Sequence, residues 1–516
     1  MKPRYGASSN LTTPIFHHAT KRGLLHLLEK AQALYHAGDL HEARRIGLEI
    51  LKANQINGEA WHLLGVIAYK ESRFVEAEEL ILRALSSARS NPYYHNSLGS
   101  VLRAQGKFEP ATASYRQSLR INPSLHAARL GFGICLRASG DLSAATAQLQ
   151  RLVSLCPRDV DARVELAITL HSSGQLDNAL SHFRAALKLQ PGHPVAQRGL
   201  AETLLLRGHF HEGWREYLGS LTSVRLPTNE PLGSAFKGKR VVVYGSEGVG
   251  DEIMAAGCIP DLLSHAKECT LYTDQRLAPL FARSFPSVHC IGVEKRAGEE
   301  IMVGLTSADE IQLLAPMLLP YLRPNPDEHP ARHTYLVPDA GALAGWRDRY
   351  RALGPGLMVG LSWRGGVDPQ SGASRSIPLQ SWEPVLRVPG VHFVSLQYGD
   401  TRAEIEATRE KTGARILYWG DANPLADLDG FAAQVAALDL VISVDNSTVH
   451  MAGALGVPTW TLLPFAPSWR WLLGREDSPW YPTAVRLLRQ AKPGDWSPVF
   501  QQVRTGLSER LNSTPR

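Results

Sequence analysis

The sequence predicts a multidomain protein, an all-α solenoid of helical hairpins followed by an α/β region made of two successive β-α units. Three observations carry this prediction. Gly38, Gly106, Gly140, Gly174 and Gly208 fall in register with a step of 34, and only Ser72 interrupts the series. Ala43, Ala77, Ala111, Ala145 and Ala179 follow five residues after each member. Beyond Leu218 the period stops, and short apolar runs ending in glycine or polar clusters alternate with helical runs. At 516 residues, 44% apolar and 20% charged, the chain is ordinary globular material and too long for one core.

Repeat starts at 24, 58, 92, 126, 160 and 194 keep register without an insertion. A 34-residue period is the length of a helix-turn-helix hairpin that buries its apolar face only by stacking on copies of itself. Small residues after a large one (Leu64-Gly65, Leu98-Gly99, Phe132-Gly133, Leu166-Ala167, Leu200-Ala201) let the two helices of a hairpin approach closely. Leu34, Leu102, Leu136, Leu170 and Leu204 form an apolar stripe on the first helix, and Tyr115, Leu149, Phe183 and Tyr217 mark the second. Pro123, Pro157 and Pro191 stand where the second helix must stop.

This pattern, with Trp61 at the early Trp position of the second repeat, resembles the tetratricopeptide repeat family and assigns residues 24–217 to such an array. The resemblance implies a concave groove that takes a peptide or protein. His95, Arg129 and Arg163, at equivalent fourth positions, and Asn96 are candidates to approach it; the competing reading makes them solvated helix residues without a partner.

Residues 218–238 read as a linker. Arg240–Tyr244 is then a strand, followed by Gly245-Ser-Glu-Gly-Val-Gly-Asp-Glu252 and a helix start at Ile253. Glycines between strand and helix admit a ligand to the backbone, and a helix N-terminus favours an anion. Strand-like runs follow at Cys269–Tyr272 and Val288–Ile291, with Arg276–Phe281 and Ile311–Leu319 read as helical. A second unit starts at Leu357–Gly366 and continues through Val391–Gln397, Arg415–Tyr418 and Leu438–Ser443. In Val441–Leu463 an apolar strand ends in Asp445-Asn-Ser-Thr448, a helix carries His450, and a Gly-Val-Pro turn leads to another strand. Asn446, Ser447, Thr448 and the helix-start N–H groups converge outside the strand's carboxyl end, a suitable place for a diphosphate. Asp427-Leu-Asp429 precedes a helical stretch and reads as a cap.

Gly248-Val-Gly-Asp251, Gly360-Leu-Ser-Trp-Arg364 and Asp445-Asn-Ser-Thr-Val-His450 with Ala452-Gly-Ala-Leu-Gly-Val-Pro458 together resemble the two-domain GT-B glycosyltransferases, nearest the bacterial heptosyltransferase-related family. That resemblance implies two Rossmann-like domains, an acceptor domain at 239–345 and a nucleotide-sugar domain at 352–490, with a helical extension at 491–511. It implies Asp251 as base, with Glu252, or Glu247 in the loop, sharing or replacing that role; the position of Asp251 at a helix start leaves capping or organisation of an anion site as the alternative. Arg364, with Arg375 second, would neutralise the phosphate, since a planar guanidinium bridges two oxygens. Gly248, Gly250, Ser362, Asn446, Ser447, Thr448 and His450 would line the diphosphate, and Gln397 the base or ribose. No metal and no cofactor are expected, the nucleotide-sugar being a substrate.

The net charge of +6 has no Lys/Arg block behind it, which argues against a nucleic-acid partner. No run of about 18 apolar residues suggests a spanning helix, the N-terminal stretch lacks the apolar core of a secretory signal, and five scattered cysteines suit a reducing cytoplasm. The leading expectation is therefore a cytoplasmic, metal-independent, inverting glycosyltransferase whose repeats recruit a protein acceptor. Two alternatives stand beside it: transfer to a saccharide or lipid with the repeats holding an assembly partner, and a non-catalytic scaffold binding a nucleotide-sugar or a protein.

Overall fold

The computed structural model describes residues 21–221, 224–225, 235–246, 248–294, 303–307, 309–325, 334–366, 372 and 375–513. The readings made for the N-terminal stretch, most of the linker and Glu247 lie outside the described residues. The chain divides into two compact units, Met1–Pro157 and Arg158–Arg516.

In the first unit eight helices run from Lys21–Ala37 to Leu142–Leu155 as four hairpins. The periodic glycines earn their place through backbone conformation: Gly38, Gly106 and Gly140 have φ of +89°, +75° and +85°. Such a left-handed link costs a side chain but not glycine. Ser72, the residue that breaks the series, adopts the same state at φ +60°. Ala43, Ala77, Ala111 and Ala145 are fully buried where the helices cross. A Cβ on Gly65 would meet Ile81 Cγ1 at 2.6 Å, and one on Gly133 would meet Leu149 Cγ at 2.6 Å, so the small residues set the interhelical distance.

The second unit holds the helices Val160–Ser172, Leu176–Leu189, Pro194–Leu206 and Phe210–Ser220, with Gly174 and Gly208 again left-handed. Two six-stranded sheets follow. The first comprises β1 (Val224–Arg225), β2 (Arg240–Tyr244), β3 (Glu268–Asp274), β4 (His289–Val293), β5 (Val303–Ser307) and β6 (Glu310–Leu314). Its order is β1-β5-β6-β2-β3-β4, parallel except for the β5–β6 pair. The second comprises β7 (Leu357–Ser362), β8 (Val391–Ser395), β9 (Ile416–Leu417), β10 (Leu440–Val444), β11 (Thr459–Leu463) and β12 (Val485–Arg489). It is parallel throughout in the order β12-β11-β10-β7-β8-β9. Every residue of β7 and β10 is buried, as expected for strands covered on both faces.

One element departs from expectation. Ile311–Leu314, read as helical, lies in β6 beside β2. Ile311 and Leu313 are buried while Glu310, Gln312 and Leu314 are half-buried, a period of two that the apolar run Leu313–Leu319 conceals. Asp427 caps Leu428–Ala436 by accepting from the Gly430 N–H at 2.8 Å. The terminal helix Ser497–Ser513 buries Val499, Phe500, Val503 and Leu507 in the core of the second sheet, Phe500 lying 5.4 Å from Trp382 between ring centres.

Candidate functional site

In the second sheet the chain runs outward from β7 through β8 to β9, then returns to add β10, β11 and β12 on the other side. The loops after β7 and β10 therefore part at the carboxyl edge, which leaves a crevice there. The helix Val249–Ala256, after β2, and the helix Ser447–Ala454, after β10, pack against each other at this edge. Gly250 makes the approach possible: a Cβ there would lie 2.9 Å from His450 Cδ2 and 3.4 Å from Ser447 Cα. Both N-terminal turns open into one cavity of about 390 Å³.

Gly248, Gly250, Asp251, Arg375, Asn446, Ser447, Thr448 and His450 line that cavity, so eight of the residues singled out by sequence are brought together. Glu252, Ser362, Arg364 and Gln397 are absent from the lining, and each has a structural task. The buried Glu252 carboxylate accepts from the Thr273 hydroxyl and from the Asp274 N–H at 3.1 Å, tying the helix start to the end of β3. Arg364 turns to Glu404 at 3.1 Å. Gln397 Oε1 accepts from the N–H groups of Trp363 and Arg364 at 2.9 and 2.8 Å and from Ser362 Oγ at 3.2 Å. Asn446 completes the knot: Nδ2 donates to Ser362 Oγ (2.7 Å) and to the Arg364 carbonyl (2.9 Å), while Oδ1 accepts from the Thr448 N–H (3.0 Å). This network fixes the loops after β7, β8 and β10 without claiming the cavity.

Charge on the walls is unbalanced. Arg276, Arg375 and Arg470 face Asp251 and Asp445, and the two helix N-termini add further positive potential. Arg470 Nε donates to Asp251 Oδ1 at 2.8 Å and Nη2 to the same oxygen. Burial acts to raise the Asp251 pKa, but the charge and hydrogen bonds of Arg470 outweigh it and the carboxyl titrates below its usual range. Arg276 grips Asp274 through Nε at 2.8 Å and Nη2 at 2.6 Å. Arg375 lies 3.8 Å from Asp445, and its buried Nε has no hydrogen-bond partner among the described residues. His450 is held by Tyr481 Oη at 2.9 Å and stacks on Trp471 at 5.4 Å. Burial pushes it down to about 4, so it is a neutral imidazole near pH 7. Leu396, Leu425, Leu428 and Phe431 supply an apolar wall.

Sequence reasoning missed Arg276 and Arg470. Arg276 had a signal, since it follows the carboxyl end of β3; Arg470 stands inside the Ser468-Trp-Arg-Trp471 segment, but only the tertiary fold brings it to Asp251. In the array, Arg129 is buried and donates to Gln148 (2.8 Å) and the Pro123 carbonyl (2.6 Å), so it braces its repeat. His95 contacts the Arg89 carbonyl at 2.8 Å.

The tetratricopeptide repeat family matches residues 27–94, 96–160, 136–194 and 164–211. Residues 27–211 are a tetratricopeptide-repeat region. Protein FlbA of Caulobacter vibrioides is 36% identical over 325 residues, which is 60% of this chain and 54% of that protein. The chain thus spans about half the length of that curated relative. The matched share exceeds residues 1–217, so the likeness reaches beyond the tetratricopeptide repeats. Among solved structures the chain is similar to three further proteins. YrrB, described as a tetratricopeptide protein with an unusual peptide-binding site, shows 23% identity and a TM-score of 0.30 over 33% of this chain and 88% of that one. TTC0263, a tetratricopeptide protein of Thermus thermophilus, shows 23% and 0.31 over 35% and 99%. PilF of Pseudomonas aeruginosa shows 14% and 0.35 over 39% and 89%.

These findings correct the expectation of a glycosyltransferase. The family that matches is a tetratricopeptide one, and the curated relative, Protein FlbA, is not described as a transferase. The two carboxylates assigned to base chemistry are also spoken for. Asp251 is neutralised by Arg470 and made a weaker base, and Glu252 is sealed in the interior against β3. The enzymatic reading, together with protein glycosylation, is therefore set aside. Among the described residues no group of three or more His, Cys, Asp or Glu is placed to hold a metal ion, and no helix is long and apolar enough to cross a membrane.

Proposed function

We propose that this protein is a non-catalytic binding scaffold, its tetratricopeptide array taking a protein partner and its α/β cleft taking a phosphorylated small molecule of the nucleotide-sugar class. The repeat region supports the first part, because stacked hairpins present an extended surface for a protein. One observation carries the second: two helix N-termini and three arginines converge on a cavity of about 390 Å³ that also has an apolar wall. Phosphate oxygens suit the charged end and a base or sugar face suits Leu396 and Phe431. The strand order of the second sheet supports reading 352–490 as a Rossmann-like domain, with 239–345 as its partner lobe and the pair as a GT-B-like architecture kept for binding. Five free thiols suit a reducing compartment such as the cytoplasm.

Isothermal titration of the full chain with UDP-, GDP-, ADP- and CMP-sugars tests the cleft. At least one is expected to bind, and Arg375→Ala to weaken it at least tenfold, as loss of a charge-assisted contact does. Silence across the panel removes the cleft reading. Turnover of the bound compound removes the non-catalytic one.

A further inference from the structure

Arg470 sits in the single-turn helix Trp469–Trp471, which has the last repeat on one side and the cleft on the other. On the repeat side, the Trp469 ring meets Trp214 at 5.4 Å and Tyr217 at 6.0 Å, both edge-on, and it meets Trp480 at 6.0 Å. The Arg470 guanidinium lies over the Trp469 ring at 4.7 Å. Trp480 Nε1 donates to the Arg470 carbonyl at 2.6 Å. On the cleft side the same guanidinium holds Asp251, 219 residues earlier in the chain and part of the first sheet's lobe.

The turn is held above its relaxed energy. Leu472, which ends it, has φ +48°, a left-handed state that penalises a branched side chain. Trp214, Trp469 and Trp471 each bury an indole N–H that has no acceptor among the described residues. An unmet buried donor of this kind costs free energy.

We propose that the Trp469–Trp471 turn couples the last repeat to the cleft. Displacement of the helix Phe210–Ser220 moves Trp469, and Trp469 carries Arg470 between Asp251 and a bound anion. With Arg470 on Asp251 the two sheet lobes are latched and the anion site lacks one guanidinium. With Arg470 released the site is complete. The binding half of this inference rests on the reading of the cleft as an anion site; the mechanical half does not.

Two measurements on the full chain separate them. Hydrogen exchange without ligand reads the mechanical half. Trp469→Leu is expected to speed exchange of the Val249–Ala256 amides about fivefold, to the level given by Asp251→Asn, with little further change in the double variant. Trp214→Phe replaces Trp469→Leu if the latter fails to fold, with a smaller effect in the same direction. Unchanged exchange at 249–256 in the folded tryptophan variant, while Asp251→Asn raises it, overturns the coupling. Titration with inorganic pyrophosphate reads the binding half. Asp251→Asn, which removes the competing carboxylate, is expected to tighten binding about tenfold. Weaker binding in that variant overturns the competition for Arg470, whereas failure of the native protein to bind pyrophosphate and every nucleotide-sugar removes the anion site and leaves the exchange result to decide the coupling.

Discussion

Asn446 reaches across from the end of β10 to the end of β7, its Nδ2 donating to Ser362 Oγ at 2.7 Å. Both side chains are buried, and the same amide satisfies the Arg364 carbonyl and the first turn of the helix Ser447–Ala454. One residue therefore joins two loops and caps a helix. Asn446→Ala is expected to cost about 2 kcal/mol in urea unfolding, because it removes the helix cap together with the donor to Ser362 Oγ and the Arg364 carbonyl. A loss below about 1 kcal/mol would show that the network is dispensable.

His450 gives the second unit a pH dependence of definite sign. Its folded value, about 4, lies below the 6.5 of an unperturbed imidazole because the neutral ring is buried, with Asp251 opposing the shift and Arg470 adding to it. Between those values the unfolded chain binds the proton that the folded chain refuses. Stability is thus complete above pH 6.5 and falls as pH drops toward 4, by up to roughly 3 kcal/mol. His450→Gln should flatten this part of the profile in urea titrations at stepped pH. An unchanged slope would assign the proton elsewhere.

Ser72 offers a gain. Its φ of +60° sits where the equivalent residues of the other hairpins are glycine. Ser72→Gly is expected to stabilise the first unit by about 0.5–1 kcal/mol, relief of the left-handed strain outweighing the looser unfolded chain. Gly106→Ala should do the reverse by at least about 1 kcal/mol. Thermal melts of both variants that moved in the same direction would contradict this account.

Gly133 tests close approach rather than backbone state. An added Cβ would lie 2.6 Å from Leu149 Cγ and 2.8 Å from its Cδ2, and Leu149 is fully buried. Gly133→Ala is expected to cost about 2 kcal/mol by overpacking, measured by the shift of the urea midpoint. A tolerated substitution would mean that the hairpin can widen.

The array was legible because its period records two steric demands: a left-handed link at Gly38, Gly106 and Gly140, and a missing Cβ at Gly65, Gly99 and Gly133. Both act within one hairpin, so local spacing reports them. β6 was harder to read, since its alternation runs straight into apolar helical residues. In the cleft, the helix-start residues from Asn446 to His450 were readable as a group because one turn holds them. Which arginine faces the cavity was not: Arg364 and Arg375 flank the same strand end, and Glu404, from another helix, draws Arg364 aside. The fate of Asp251 was hidden for the same reason. A carboxylate at a helix start reads as a base or a cap until Arg470 arrives from 219 residues away.

The left-handed links have a consequence for how the repeats tolerate change. Asp39 and Asp141 cap the helices that follow them with their side chains, but Arg73, Lys107, Gln175 and His209, at the same place, do not. Where the main chain alone dictates the corner, the neighbouring side chain is left as a tuning knob: Gln175→Asp should add about 1 kcal/mol of cap, read as a rise in melting temperature, without altering the turn. The stability of each hairpin can in this way be raised or lowered one residue at a time, at a position whose backbone the preceding left-handed link already sets.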